Sequence, residues 1–224
     1  MDVHLDIETI PSQKPGILSE IRQDLSPPGN ISKAETIAKW WAESADSAAL
    51  EQWLKTSFDG SRGELVVVGF AVGDGGVASR YRNLGESEGD LLQAAFDDLD
   101  ALLVKAGASS APRFVGHNII SFDLRFLYQR AVILGIKPPF LLPTETRYNG
   151  DLVFDTMLAW AGWGNRIPLV RLCEALGIKV KSGGIDGSKV WEYVQAGRVQ
   201  EVAGYCEEDV FAGRQVAKRL QWEV

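Results

Sequence analysis

Cysteine is scarce in this sequence, with two residues in 224. Cys173 and Cys206 lie too far apart to build a disulfide framework or a zinc spacing. They suit a reducing compartment, and both read as small core residues. Long apolar runs are missing too, and none approaches the ~20 residues of a membrane span. No basic segment followed by an apolar one opens the chain, so no signal peptide is expected and the expected location is cytoplasmic. No lysine follows the glycine spacing of a phosphate loop. The run "GDGGVA", Gly73 to Ala78, fits a dinucleotide fingerprint only if a helix follows; "VASRYR" reads as a strand, so a hairpin turn is expected. Basic charge is in deficit: 23 Lys and Arg against 30 Asp and Glu give a formal net charge of −7. Taken alone, that argues against a nucleic-acid partner, unless several acids hold metal ions.

What is present suffices for one domain over residues 1–224, with 46% hydrophobic and 24% charged residues. No repeat, low-complexity tract or linker divides it. "MDVHLDIETI" alternates as a strand over 2–8. Residues 11–31, rich in Pro, Gly, Ser and Asn, read as a loop. "SKAE" then reads as a capping box, with Ser32 as N-cap and Glu35 three residues on. A helical pattern follows through Ile37, Trp40, Trp41, Leu50, Trp53 and Leu54, with a break near 44–47, so a helical insertion is expected over about 28–58. "ELVVVGFAVGDGGVASRYR" reads as a hairpin. "ESEGDLLQAAFDDLDALLVKAG" reads as an amphipathic helix ending at Gly107. A short strand at "RFVGHN" leads to a helix over 121–134 opening on Ser121. "PPFLLPTETRYNG" is a loop, and "DLVFDT" a short strand or strand-to-helix junction. Helices are expected at "PLVRLCEALG", "VWEYVQAG" and "RVQEVAGYCEEDVFAGRQVAKRL", with "KSGGIDGSK" as a loop between the first two. The order implies an α/β fold with a mixed central sheet of about five strands flanked by helices.

Three segments carry acids that such a fold could bring together. In the first strand Asp6 and Glu8 share a face with His4 and Asp2; alone, the pair is better explained as two solvated acids. In "GHNIISFD", Asp123 falls in a helix's first turn, where an acid complements the dipole, but also at a strand's C-terminal edge, where α/β sheets bind ligands. In the last helix Asp209 lies on the apolar stripe of Val202, Cys206, Gly213, Val216 and Leu220. There a charge is costly unless paired, for example with Arg125 or Arg214, or metal-bound. Tyr205 precedes it by four residues and shares its face, though such a tyrosine is usually a rim residue. Four carboxylates would form an all-oxygen set that selects Mg²⁺ or Mn²⁺ over zinc. Two such ions can activate water and stabilise the leaving oxygen of a phosphodiester.

Asp-x-Glu in the first strand, Asn118, Phe122 and Asp123 in Asn-x-x-x-Phe-Asp, and Tyr205 and Asp209 in Tyr-x-x-x-Asp resemble the three motifs of DEDD exonucleases. The tyrosine matches the DEDDy (DnaQ-like) branch. "DIETIP", "GHNIISFDLRFLYQRA", "LCEALGIKVKSGGIDGSKVWEY" and "YCEEDV" resemble the stand-alone, family-B-polymerase-like 3′–5′ exonucleases of bacteria and phages, over nearly the whole chain. The resemblance implies an RNase H-like fold. It implies two Mg²⁺ or Mn²⁺ held by Asp6, Glu8, Asp123 and Asp209, and a Tyr205 hydroxyl that orients the attacking water. Asn118, Phe122, Thr9, Ile10 and Lys181 are implied to meet the substrate. That substrate is a DNA 3′ end, preferably single-stranded, with RNA as an alternative. A polymerase or another replication or repair protein is a conceivable partner, in a bacterial or phage-infected cell; the chain itself is too short to contain a polymerase. A catalytically silent binding module is the other alternative, against which the intact acid set argues. The chain departs from the pattern in carrying Ala212 and Gly213 where such enzymes often have a threonine.

Smaller signals fit either account. Setting the four acids aside leaves a net charge of −3, which two divalent ions more than compensate. Lys179, Lys181, Lys189 and Arg198 flank a Gly-rich loop and could meet phosphates or simply be solvated. His117 reads as a buried histidine bonded to backbone. Trp40, Trp41 and Trp53 read as core before base-stacking or a partner contact.

Overall fold

The computed structural model describes residues 1–108, 111–144, 150–180 and 184–223. The chain begins with β1 (Asp2–Ile10), followed by α1 (Ile17–Asp24), α2 (Ala34–Glu43), α3 (Ala45–Lys55) and a single 3₁₀ turn (Thr56–Phe58). The hairpin β2 (Glu64–Val72) and β3 (Ala78–Tyr81) leads to α4 (Glu88–Lys105), β4 (Arg113–Gly116) and α5 (Asp123–Leu134). Then come β5 (Val153–Asp155), α6 (Thr156–Ala161), α7 (Leu169–Leu176), α8 (Val190–Gln195) and α9 (Val199–Leu220).

The strands form one mixed five-stranded sheet in the order β3-β2-β1-β4-β5. β3, β2 and β1 are antiparallel neighbours, while β1, β4 and β5 run parallel. β1 is therefore central, and its alternation is read by two different layers. Val3, Leu5 and Ile7 pack with Phe70, Phe114 and the buried residues of α4 and α5. The opposite face lies under α9. Gly69 makes that approach possible: it sits opposite Asp6 in the ladder, and a Cβ there would come within 2.8 Å of the Cys206 sulfur on α9. The β1–β2 register shifts between Glu8 and Thr9, a bulge at the end of the strand that carries the acids.

Some local expectations are corrected. Residues 11–31 are not all loop, because α1 buries Ile17 and Ile21 against Ala49 of α3. Two apolar residues among prolines and glycines gave too short a pattern to register. Ser32 does not cap α2, which follows Lys33 without a side-chain cap. Nor does Ser121 cap α5, which follows Phe122; the Asn118 carbonyl instead accepts the N–H groups of Ser121 and Phe122. α2 buries no residue. Trp40 and Trp41 are thus not core, and they pack edge-to-face on each other with centroids 5.0 Å apart. Trp53 does anchor the helices: its indole N–H donates to the Ser12 carbonyl at 2.8 Å, and its ring meets Trp191 of α8 at 5.3 Å.

Glu88 and Arg130 form a buried bidentate pair joining α4 to α5, with distances of 2.6 and 2.9 Å. Glu88 also accepts the Leu65 N–H at 2.7 Å, and Arg130 donates to the Gly60 carbonyl at 3.2 Å. Arg130→Ala strands a buried carboxylate and is expected to cost about 3–5 kcal/mol in urea unfolding.

Candidate active site

Asp6 and Glu8 come from β1, Asp123 from the first turn of α5, and Tyr205 and Asp209 from the middle of α9. Carboxylate oxygens of Asp6, Glu8 and Asp209 all lie within 4.8 Å of one another. Glu8 is buried, while Asp6 and Asp209 are partly buried. Asp209 thus sits at the edge of its apolar stripe, not within the core. Asp123 is buried and stands beside this trio. Pairing of β4 with β1 ends at His4, and beyond it the Ile7 N–H donates to Asp123 Oδ1 at 3.1 Å. That peptide lies between the two β1 acids, so Asp123 is locked to the strand that bears them.

The electrostatics are those of crowded anions. Burial raises the Asp6 carboxyl well above its usual range, and the charges of Asp123, Glu8 and Asp209 raise it further. Glu8 is raised by burial, then by Asp209 and Asp123. Burial raises Asp123 to about 7, against the opposing pull of the backbone N–H bonds it accepts. Asp209 rises to about 6, again by burial, while a hydrogen bond from Tyr205 pulls it down. The charged groups that act most strongly on these four carboxyls are all acids. Arg125 and Arg214, the expected alternative partners of Asp209, bond instead to the carbonyl of Thr144 and to those of Gly73 and Gly75. Such a set can ionise together only around cations, and its oxygen-only donors fit Mg²⁺ or Mn²⁺.

This predicts a linkage. Carboxyls raised in the fold above their unfolded values contribute stability that is full below about pH 4 and lost as pH rises through about 6–7. Divalent ions held among these acids would reverse that loss. The Mn²⁺-induced rise in melting temperature should therefore be larger at pH 8 than at pH 5.5. Differential scanning fluorimetry checks it, and equal shifts at both pH values contradict it.

The tyrosine is held for a donor role. Its hydroxyl bonds to Asp209, and burial together with the nearby acids raises its pKa, so it stays protonated. Cys206, a core thiol as expected, also donates to Asp6 Oδ2 at 3.3 Å. Phe122 lies immediately before Asp123, partly buried and 5.7 Å from Phe126. Asn118 has a left-handed backbone, φ 62. It borders a cleft of about 180 Å³ that includes Ser121, Trp163 and Arg166. Thr9 donates to the Ser57 carbonyl at 2.7 Å. Ile10 is wholly buried with Val66, Val190, Val199 and Val202, which makes its side chain a core residue. Lys181 lies outside the described residues. His117 bonds to the Ile167 carbonyl at 2.7 Å and to the Thr156 hydroxyl at 3.0 Å, so it is bonded to backbone as expected, but it is only partly buried. Arg198 pairs with Glu201, and Lys189 donates to the Gly184 carbonyl.

Asp155 is a further residue of this region, outside the three motifs. It is buried, caps α6 through the N–H groups of Met157 and Leu158, and accepts those of Asn118 and Ile120 at 3.1 and 3.2 Å. It thereby fixes the loop that carries Asn118. The legible signal was an aspartate at the strand-to-helix junction in "VFDT", an N-cap position.

Comparison with known proteins bears on this arrangement. The family described as "Predicted 3'-5' exonuclease related to the exonuclease domain of PolB" matches residues 76–215. That is well over half of the chain, and it includes Asp123, Tyr205 and Asp209. The structure of the family B DNA polymerase from the hyperthermophilic archaeon Pyrobaculum calidifontis is similar in fold, with TM-score 0.58 and 16% identity, covering 98% of this chain and 24% of that one. The chain thus spans about a quarter of the polymerase's length. None of the curated proteins matches it. With an RNase H-like α/β fold and a family match across most of its length, the chain belongs to the 3′–5′ exonucleases related to the polymerase exonuclease domain.

Proposed function

We propose that this protein is a metal-dependent exonuclease that removes nucleoside 5′-monophosphates from the 3′ end of DNA, preferably single-stranded. The observation that carries the reading is the trio of Asp6, Glu8 and Asp209 oxygens within 4.8 Å, with no basic partner among the main charges acting on them. Together with Asp123 they would hold two Mg²⁺ or Mn²⁺. Bound there, such ions supply water activation and neutralise charge at the leaving oxygen. Tyr205 keeps its proton and positions the attacking water by a hydrogen bond. Water adds to the terminal phosphorus, the bond from phosphorus to the 3′ oxygen breaks, and the shortened strand keeps a 3′ hydroxyl. Asn118 and Phe122 hold the terminal nucleotide. No covalent intermediate is needed, and the buried Cys206 is not asked to be a nucleophile.

The test is a 5′-labelled single strand incubated with Mg²⁺ or Mn²⁺, as DNA and as RNA in parallel, with product identity read by mass spectrometry. The reading expects a ladder shrinking from the 3′ end, faster on DNA, with release of 5′-monophosphates. No shortening of either strand with either metal defeats it; faster loss of RNA moves the substrate to RNA.

A further inference from the structure

The three motifs leave out the segment between β1 and β2, yet its last turn is bonded to Thr9, the residue after Glu8. We infer that the turn over residues 56–62 is a single-strand ledge, on which Phe58 stacks an unpaired base near the 3′ end. This rests on the exonuclease reading above and adds to it a substrate contact outside the three motifs.

Phe58 is 70% exposed, with its ring centroid 6.4 Å from that of Phe122. Phe122 directly precedes Asp123, so the two rings form an aromatic step that continues in the chain into one of the acids. The backbone beneath Phe58 is pinned on every side. Thr9, next to Glu8, donates to the Ser57 carbonyl at 2.7 Å. Thr56 Oγ1 accepts the Ser12 N–H at 2.9 Å and donates to the Trp53 carbonyl. Arg130, itself buried and paired to Glu88, donates to the Gly60 carbonyl. Gly60 lies so close to Phe126 and Gln129 of α5 that a Cβ would clash. The exposed ring therefore rides on a rigid base and loses little freedom when a base lies on it. Arg62, on the same turn, is exposed and makes no ion pair among the described residues. Non-sequence-specific single-strand binders combine stacking rings with basic charge along the strand's path, and base-paired ends hide the face that Phe58 needs.

The test separates binding from cutting. A 5′-fluorescein single strand of about 12 nucleotides, within the site sizes of single-strand binders, is titrated by anisotropy with Ca²⁺ present. A second strand has its 3′-terminal bases removed. Wild type should bind the base-bearing strand at least tenfold more tightly, since one stack alone is worth roughly that much. Phe58→Ala should narrow that margin roughly tenfold, leaving what Asn118 and Phe122 contribute, and bind the abasic strand as wild type does, and Phe58→Trp should keep the margin whole. The ledge is overturned if Phe58→Ala retains the whole margin, if its affinity falls equally on both strands, or if wild type shows no margin. Shortening with Mg²⁺ is read separately. A wild type that shows the base-dependent margin but does not cut refutes the exonuclease reading and leaves the ledge standing.

Discussion

Glu8→Gln is expected to reduce strand shortening by roughly 10³-fold or more while raising the melting temperature of the metal-free protein. The two effects have one cause. Glu8 is buried beside Asp6 and Asp209, and burial and its neighbours push its proton affinity up. Without a cation, ionising it costs folding free energy; the neutral amide keeps the shape and removes the charge. At this chain length each kcal/mol regained moves the melting temperature by about 2–4 °C. With the amide in place one anionic oxygen donor is gone, so metal affinity and turnover fall together. An ordinary core mutation moves stability and activity in the same direction. Opposite signs, from scanning fluorimetry in EDTA and from initial rates in Mg²⁺, distinguish a site held apart by charge from a packing position. A metal-free protein destabilised by Glu8→Gln would contradict this.

Tyr205→Phe should lower kcat by about 10²-fold, the scale of one positioned donor, with KM and Mn²⁺ affinity changed by about twofold at most. The ring stays, so packing against α9's neighbours is kept. What is lost is the hydroxyl, which raised proton affinity keeps neutral. Its bond to Asp209 also lowers that carboxyl's pKa. Removing it therefore raises the Asp209 value above about 6, and the acid limb of the rate–pH profile should move to higher pH. The limb reports the lost bond to Asp209, and the fall in kcat at unchanged Mn²⁺ affinity reports the lost contact to water. If kcat is unchanged, the water-positioning role is wrong. If Mn²⁺ affinity collapses instead, the residue acts by holding Asp209.

The sequence shows some parts of this account better than others, for physical reasons. β1, the β2–β3 hairpin, α4 and α9 were legible because long alternating or 3.6-period patterns are read by one packed face each. Asp6 and Glu8 shared a face by strand parity alone, and Tyr205 and Asp209 by helical spacing; the structure places Asp6, Glu8 and Asp209 together and Asp123 beside them. α1 was hidden because it buries only Ile17 and Ile21, and packing against α3 is a tertiary effect. The caps at Ser32 and Ser121 failed because backbone turns, not hydroxyls, start those helices. Asp155 and Phe58 are hard to read from the sequence for a similar reason. An acid that accepts four N–H groups, and an exposed ring on a pinned turn, are defined by partners distant in sequence.

The central claim is that three segments of the chain jointly hold the metal. It is tested most directly by Mn²⁺ titration calorimetry without nucleic acid, on wild type and on Glu8→Gln, Asp123→Asn and Asp209→Asn, one variant for each segment. Wild type should bind Mn²⁺, and each of the three variants should bind it more weakly. A wild type that takes up no Mn²⁺, or variants that titrate as wild type does, would contradict the account.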